Sequence, residues 1–169
     1  MAVATHPLDE LDRKLLGALQ DDAGLTNQAL AARVGLSPSP CLRRVKALED
    51  AGIIVGRVAL LDGKQLGLSL TALIHISMDR HTPDRFEGFE ALVRQYPEVQ
   101  ACYLVTGQQA DYLVKVVVPS MDHYQAFLLD KITRIEGVTG VHSSFVMRRV
   151  VETTALPLGY LSPPVARRV

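Results

Sequence analysis

The spacing of the apolar residues changes near Gly52, and this change constrains the fold more than any other feature of the sequence. Before Gly52 the apolar residues recur every three or four positions, which is the period of one face of an α-helix. After Gly52 they alternate with polar residues, most clearly from Leu68 to Met78, which is the pattern of a strand with one buried face. The sequence therefore predicts a helical part followed by a part built on a β-sheet.

The apolar spacing before Gly52 predicts three short helices joined by tight turns. We expect the first helix to span about Asp9 to Asp21 and to be ended by Gly24, because glycine readily takes the left-handed conformation that follows many helices. Thr26 is a candidate N-cap of the second helix, which Gly35 ends. The pair Ser37-Pro38 favours the start of the third helix, since serine can accept backbone N–H groups and proline has none to leave unpaired. Three helices with a glycine in the turn before the third are typical of a helix-turn-helix domain.

The third helix is predicted to have an apolar face and an opposite basic face. Its predicted inward residues are Cys41, Leu42, Val45 and Leu48. Its predicted outward residues are Ser39, Pro40, Arg43, Lys46 and Ala47, with Arg44 beside them. The segment from Arg33 to Lys46 holds four basic residues and no acidic one, whereas the whole chain has 18 residues of each sign and a formal net charge of zero. Positive charge is therefore local, and the protein is not a generally basic coat for nucleic acid.

This outward face suits the major groove of DNA, because arginine can donate two hydrogen bonds to O6 and N7 of guanine. A solvated helix face without a partner is the plainer interpretation. Thr26 and Asn27 are candidates for contacts to DNA phosphate, and a simple N-cap role is their equal alternative. The predicted DNA-binding residues are Thr26, Asn27, Ser37, Ser39, Pro40, Arg43, Arg44 and Lys46. We expect replacement of Arg43 or Arg44 by Ala to weaken specific binding and to leave folding intact.

After Gly52, strand-type and helix-type apolar patterns follow one another in the order βαββαβ. This is the split pattern of ferredoxin-like sheets, so the predicted fold class is α+β. We divide the chain into a helix-turn-helix domain at residues 1–53, a β-rich linker at 54–65, a βαββαβ domain at 66–152 and a tail at 153–169. The β-branched and apolar run around the linker indicates a strand or a connecting arm. The proline-containing tail is expected to be irregular or to lie as a strap against a partner subunit.

Several missing features narrow the function class. The two cysteines form no CxxC pair, and the five histidines have no metal-binding spacing, so neither a metal nor another cofactor is expected. Apolar runs stay below the ~18 residues of a membrane span, and the N-terminus does not resemble a signal peptide, so we expect a cytoplasmic protein with no membrane partner. The GxSxG, GxGxxG, P-loop and paired-carboxylate signatures are missing, and we expect no catalytic site.

Three stretches of the helical part carry a more specific pattern. They are Leu11-Asp12-Arg13-Lys14-Leu15-Leu16, the run from Val34 to Glu49, and Gly52-Ile53-Ile54. The run from Leu36 to Leu48 reads Leu-Ser-x-x-x-Cys-x-x-Arg-Val-x-x-Leu. In these residues the chain resembles the DNA-binding domain of the Lrp/AsnC family of prokaryotic transcriptional regulators, and the resemblance continues to about Val151. It implies a winged-helix-like DNA-binding domain, a β-rich linker, and a βαββαβ effector domain that dimerises and often assembles into octamers. The implied partners are double-stranded DNA, a small effector that is commonly an amino acid, and further copies of the chain.

The resemblance also implies an effector site at the hairpin between the second and third strands. Family members commonly bind an amino acid there, near a Gly-acidic-aromatic-Asp-aromatic segment. This chain departs from the pattern, since Gln108 replaces the acidic residue and the loop is one residue longer. A glycine-led turn offers N–H groups to the carboxylate of an amino acid, and Asp111 offers a carboxylate to its ammonium group. An ordinary turn is the alternative for this segment, and core packing is the alternative for Met121. The implied effector-binding residues are Gly107, Gln108, Gln109, Asp111 and Met121.

Two other functions stay open on sequence grounds. Sirohaem decarboxylases resemble this family in fold and use histidine and arginine on a tetrapyrrole, although the histidines here are scattered and the basic third helix is present. A nucleoid-architectural protein is the other alternative. It would bind DNA with strong dependence on salt and with little discrimination between sequences.

Overall fold

The computed structural model describes residues 8–107 and 110–161. The chain forms two compact units. The first runs from the start of the chain to Leu60 and includes the segment from Val151 onward, and the second runs from Leu61 to Val150. A helical unit and a sheet unit confirm the predicted α+β class.

The first unit is built on three helices, α1 (Glu10–Asp21), α2 (Asn27–Val34) and α3 (Pro38–Asp50). Their apolar faces meet in one core, whose buried residues are Leu15, Ala18, Leu30, Ala31, Val34, Cys41 and Val45. The second helix ends where Gly35 takes a left-handed conformation with φ of 74°, as the sequence predicts. This turn allows the chain to reverse between α2 and α3.

Side chains cap the first two helices. The Asp9 carboxylate accepts the Asp12 backbone N–H at 2.8 Å, and the Asp12 carboxylate accepts the Asp9 backbone N–H at 3.1 Å. This reciprocal capping box satisfies two N–H groups that have no partner within the helix. Thr26 caps α2 as predicted, because its hydroxyl oxygen accepts the Ala29 N–H at 3.2 Å.

Two local predictions at helix ends are wrong. Helix α1 ends at Asp21, and Asp22 follows it in an extended conformation, so the left-handed glycine predicted at Gly24 is not used. Instead the Gly24 N–H donates to the Asp22 carboxylate at 2.8 Å. Ser37 precedes α3 as expected, but its hydroxyl makes no capping hydrogen bond. The proline at the first position of α3 has no N–H, which leaves fewer donors for a cap to satisfy.

The predicted inward position of Leu42 is also wrong, since this side chain is 58% exposed. The buried residues of α3 are Cys41, Val45 and Leu48. They are spaced four and three positions apart, and they define a narrow stripe. Leu42 lies about 100° around the helix from Cys41, which turns its side chain away from that stripe.

The predicted β-rich linker contains no strand. Residues 54–69 are all described, and they form an arm without strand pairing followed by turns from Gly63 to Gly67. A strand needs a neighbour for its backbone N–H and C=O groups, and no strand in residues 8–107 and 110–161 pairs with the arm. The arm is also strongly exposed, with 93% of Val55 and 77% of Val58 accessible. Of the two alternatives for this segment, the structure has the connecting arm.

The second unit has the predicted βαββαβ order. Its elements are β1 (Leu70–Met78), α4 (Pro83–Val93), β2 (Val99–Leu104), β3 (Tyr112–Val118), α5 (Met121–Asp130), a short 3-10 helix (Ile132–Arg134) and β4 (Val138–Phe145). The strands form one antiparallel sheet in the order β2-β3-β1-β4, which is the ferredoxin-like arrangement.

Alternating residues of β1 and β3 form the core of this unit. The fully buried strand residues are Ala72, Ile74, Ile76, Tyr112, Val114, Val116 and Val118. Phe89 and Val93 of α4 and Phe127 of α5 cover this face of the sheet. The β2–β3 hairpin lies at the end of the sheet where β1 finishes, because the Asp111 N–H donates to the Ile76 carbonyl at 2.9 Å.

The segment after Val151 packs on α1 of the same chain. Gln20 forms two hydrogen bonds to the backbone of Leu156, one as donor at 3.1 Å and one as acceptor at 2.6 Å. The Arg13 guanidinium donates to the Leu161 carbonyl at 3.0 Å. The described part of the segment includes a short 3-10 helix, Leu158–Tyr160. The rest of residues 153–161 is irregular as expected, and residues 162–169 of the predicted tail lie outside the described ranges. The predicted contact of the tail with a partner subunit stays a prediction.

None of the helices in the described ranges combines the length and the apolar character that a membrane crossing needs.

Candidate nucleic-acid interface and effector site

The outward face of α3 holds most of the predicted DNA-binding residues. Those with exposed side chains are Ser37, Ser39, Arg43 and Lys46, and Pro40 is half-buried. Within residues 8–107 and 110–161, neither Arg43 nor Lys46 has an ion-pair partner. Both side chains are therefore available to an external anion.

Arg44 has a different environment from Arg43, although the two are adjacent in sequence. Its Nη1 atom donates to the Asp12 Oδ1 and to the Asp9 Oδ2, each at 2.8 Å. Asp12 is 5% exposed, so this contact supplies the positive charge that a buried carboxylate requires. The expectation that Arg44 can be replaced without affecting folding is therefore corrected, because the side chain holds the start of α1 against α3.

The protonation behaviour of this cluster follows from its contacts. Burial acts to raise the pKa of Asp9, but the Asp12 backbone N–H and the Arg44 guanidinium outweigh it, and the pKa of Asp9 lies below its ordinary value. Hydrogen bonds to Asp12 and then to Asp9 raise the pKa of Arg44. The Arg44 guanidinium thus favours the charged form of the Asp9 carboxylate, and both carboxylates favour the charged form of Arg44.

A second basic residue of the Arg33 to Lys46 segment is also engaged within the unit. The Arg33 guanidinium pairs with the Asp21 carboxylate at the end of α1. Arg33 and Arg44 therefore both bind acids of α1, whereas Arg43 and Lys46 do not. Sequence inspection counts four unopposed cations, and tertiary contacts reduce them to two.

The residues that open α2 are occupied by contacts inside the helix-turn-helix. Thr26 caps the helix, and the Asn27 side-chain amide donates to the Pro38 carbonyl at 2.8 Å. This second bond ties the start of α2 to the first turn of α3.

Leu42 is a member of the outward face that the sequence interpretation missed. It is adjacent to Arg43, and more than half of its surface is accessible. An exposed apolar group on such a helix can contact the C5-methyl group of thymine. The signal was present in the sequence, since counting back three and seven positions from Leu48 selects Val45 and Cys41 and excludes Leu42.

The β2–β3 hairpin is closed by a hydrogen bond from the Val105 N–H to the Asp111 carbonyl at 2.8 Å. Gly107 is exposed at its tip. The predicted effector residues Gln108 and Gln109 lie outside the described residues. Asp111 stands at the base of the hairpin, and its side chain is 19% exposed.

The Asp111 carboxylate already has a partner on each oxygen. Its Oδ2 accepts the Met78 backbone N–H at 2.7 Å, and its Oδ1 lies 2.8 Å from the His81 Nε2. The first contact satisfies the backbone at the end of β1. The second contact comes from the loop between β1 and α4, and no sequence pattern predicts it.

An aromatic group lies beside this carboxylate. The His81 ring is 6.1 Å from the Phe86 ring, and Phe86 meets Tyr112 edge-on at 5.7 Å. The Tyr112 hydroxyl donates to the Glu90 carboxylate at 3.0 Å. Burial, and then this hydrogen bond, raises the pKa of Tyr112, so the phenol stays protonated.

A cavity of about 310 Å³ lies between α4 and the β2 edge of the sheet. The polar and sulfur-containing side chains that line it include Glu90, Arg94, Cys102 and Tyr112. Burial, and then the charge of Glu90, raises the pKa of the Cys102 thiol to about 11, which keeps it protonated. The cavity therefore offers a small ligand an apolar wall with a few hydrogen-bonding groups, and its thiol is a poor nucleophile.

Comparisons with known proteins give the two units their context. Residues 8–55 match the family described as winged helix-turn-helix DNA-binding. Residues 71–156 match the Lrp/AsnC ligand binding domain. The chain belongs to the Lrp/AsnC family. It is a DNA-binding transcription regulator with a ligand-binding domain of the Lrp/AsnC type, as the sequence resemblance implies.

Characterised relatives of this Lrp/AsnC protein are regulators. The DNA-binding transcriptional activator DecR of Escherichia coli K12 is 42% identical over 151 residues, which cover 89% of this chain and 99% of that protein. The leucine-responsive regulatory protein of the same organism is 42% identical over 149 residues, covering 88% of this chain and 90% of that protein.

Solved structures agree with the fold of this Lrp/AsnC protein. The complex of the transcriptional regulator NMB0573 from Neisseria meningitidis with L-Met superposes with a TM-score of 0.87 at 44% identity. That match covers 92% of this chain and 99% of the other. An AsnC family regulator from Agrobacterium tumefaciens also has a TM-score of 0.87, at 40% identity, and covers 92% of this chain and all of the other.

Within one copy of this Lrp/AsnC chain, Met121 is not close to the hairpin. It is the first residue of α5 and is 49% exposed. Strand β3 separates it from Asp111, and seven residues at ~3.3 Å each extend over roughly 20 Å. If Met121 and the hairpin contact the same effector, they must come from different copies.

In the described parts of this Lrp/AsnC chain, no group of three or more His, Cys, Asp or Glu side chains is arranged to hold a metal ion.

Proposed function

We propose that this Lrp/AsnC regulator reads operator DNA with the outward face of α3 and responds to an amino acid at the β2–β3 hairpin. The observation that carries the first half is the separation of charge in the helical unit. Two of its four neighbouring cations are anchored to acids of α1, and Arg43 and Lys46 are left open on one helix face. A rigid helix with an open cationic face is the arrangement that enters a major groove.

The proposed roles on this face differ from residue to residue. Arg43 donates two hydrogen bonds to a guanine, and Lys46 contacts phosphate. The Ser37 and Ser39 hydroxyls, which head α3, donate to phosphate or to a base edge. Pro40 and Leu42 provide apolar contacts. Arg44 acts indirectly, by holding α3 in place, and Thr26 and Asn27 position the start of α2.

The chain is proposed to act as a homodimer that assembles further, to octamers. Two copies would present their α3 helices to successive major grooves, so half-sites would be centred ~34 Å, or a multiple of that distance, apart. Its place of action is then the cytoplasm, the compartment that holds the DNA.

The effector is proposed to be an amino acid, as in the L-Met complex of the Neisseria regulator. Its ammonium group would bind Asp111, and its carboxylate would accept N–H groups of the turn that begins at Gly107 and includes Gln108 and Gln109. Met121 of a second copy would line the site. Effector binding would then change the relative stability of assemblies that place the α3 helices differently.

Selection of DNA from a random duplex library by the full chain tests the DNA-reading proposal. We expect enrichment of a roughly palindromic site, and we expect L-methionine or L-leucine to change its affinity. Binding at moderate salt with equal strength on selected and random duplexes would contradict sequence-specific reading and would indicate the architectural alternative.

A further inference from the structure

Asp111 is less available to an effector than its place in the hairpin indicates. The Met78 N–H holds one of its oxygens, and the His81 imidazole holds the other at 2.8 Å. A carboxylate can accept further hydrogen bonds, so these contacts do not block an ammonium group by geometry alone. The charge of the imidazole decides whether an arriving cation is attracted.

His81 is the solvent-exposed member of this pair. Its side chain is 70% exposed, it lies in the loop between β1 and α4, and its ring centroid is 6.1 Å from that of Phe86. Asp111, by contrast, lies at the base of the hairpin and is 19% exposed. An arriving ligand can therefore displace the histidine into solvent more easily than it can displace the carboxylate.

The other charges at this end of the sheet compensate one another. Arg85 of α4 pairs with Asp79 at 3.2 Å and with Glu136, just before β4, at 2.8 Å. Arg80 lies 4.0 Å from the Asp79 carboxylate. These two cations and two anions therefore pair with one another. Asp111 is the anion in contact with His81, and histidine is the ordinary side chain that changes charge between pH 5 and 8.

We propose that His81 is a proton-controlled guard of the effector site, which holds Asp111 when protonated and yields it to the effector ammonium when neutral. The inference rests on the proposed role of the hairpin. A protonated imidazole neutralises the Asp111 carboxylate and repels a second cation. A neutral imidazole donates one hydrogen bond without adding charge, so the full negative charge of Asp111 remains for the ligand.

The direction of the effect follows from linkage. If protonation of His81 weakens effector binding, effector binding must oppose protonation of His81 by the same factor. We expect the affinity for L-methionine to be about fivefold lower at pH 5.5 than at pH 8, since partly exposed ion pairs have modest strength.

Calorimetric titration of the full chain with L-methionine and L-leucine between pH 5.5 and 8 tests the guard. The charges of the amino acids do not change over this range. The variants are His81→Gln, which keeps a neutral donor, and His123→Gln, an exposed histidine on α5 that serves as the matched control. We expect the pH dependence in the wild type and in the control. We expect His81→Gln to bind at both pH values as tightly as the wild type does at pH 8.

The outcomes separate the two proposals. If neither amino acid binds at any pH, the proposed effector function is overturned, and the guard with it. If an amino acid binds equally at both pH values, or if His81→Gln retains the pH dependence, only the guard is overturned. Weaker binding of His81→Gln at every pH would also overturn the guard, because it would make His81 a direct contact of the ligand.

Discussion

The outward face of α3 and the β2–β3 hairpin both carry charged side chains, but in the described part of the chain those on the α3 face have no internal partners and that of the hairpin has two. On α3, Arg43 and Lys46 are solvated and unpaired within the described ranges. At the hairpin, the largely buried Asp111 carboxylate is bound on both oxygens. Exposed cations are stable without a bound polyanion because water solvates them. A carboxylate removed from water is stable only when other groups of the protein or a ligand bind it. A small ligand must therefore compete with internal contacts of this chain, and DNA need not.

The strongest test of this contrast is Asp111→Asn. Loss of the carboxylate should lower the affinity for L-methionine about a hundredfold, because a charged hydrogen bond in a sheltered site is removed. Asn can still accept the Met78 N–H, so the hairpin should keep its fold. Calorimetry measures the affinity, and gel-shift titration without amino acid should show unchanged DNA binding.

A suitable control for this substitution is Asp130→Asn, which removes the same charge from an exposed position on α5. Unaltered L-methionine binding by Asp111→Asn would show that the hairpin carboxylate is purely structural. The hairpin carboxylate would then not be a binding group for the effector, and the comparison with the DNA-binding face of α3 would fail.

Arg44→Ala is expected to have the next largest effect, on stability. It leaves the buried Asp12 carboxylate facing that of Asp9 without a cation, and we expect the free energy of unfolding of the helical unit to fall by about 2–3 kcal/mol. Urea denaturation followed by circular dichroism measures the change. The neighbouring Arg43→Ala makes the same chemical change on the solvated side and should cost less than about 0.5 kcal/mol. Equal losses from both variants would contradict the division of roles between these arginines.

Arg43→Ala should instead affect DNA binding. On a selected operator we expect a loss of about 1–3 kcal/mol, with little change on random duplex. Lys46→Ala should weaken binding on every sequence and reduce the slope of log K against log salt by about 1. Arg134→Ala, a charge-matched change on the sheet unit, is the control for both. An equal loss of affinity for the operator and for random duplex in Arg43→Ala would show that Arg43 contacts phosphate and not a base.

The smallest expected effect is a dependence of stability on acid pH. The pKa of Asp9 is lower in the folded chain than its ordinary value of 3.8, so its contribution is complete above that value and is lost as pH falls through the folded pKa. The effect should be small because 44% of the Asp9 side chain is exposed and solvent screens the pair. Urea midpoints measured from pH 5 to pH 2.5 should fall more steeply for the wild type than for Arg44→Ala. Parallel curves would show that this ion pair does not contribute.

The elements of both units follow closely from hydrophobic periodicity. The three helices and the βαββαβ order were predicted, because burial of one face imposes a period that the residues themselves display. The predictions were wrong where the helical period of apolar residues is ambiguous and where a strand needs another strand to pair with. Leu42 is adjacent to the buried stripe of α3 but outside it. The arm after Gly52 has the composition of a strand, but no strand in the described part of the chain pairs with it.

The sequence alone determined the element order, the family resemblance and the presence of a basic outward helix face, since each depends on residues close together along the chain. Only the tertiary structure decided which charges remain open. Arg44 meets an acid 32 positions away, and Asp111 lies against His81 from another loop. Such pairs are set by the packing of distant elements, and the free energy of a buried charge depends on what that packing brings within hydrogen-bonding distance.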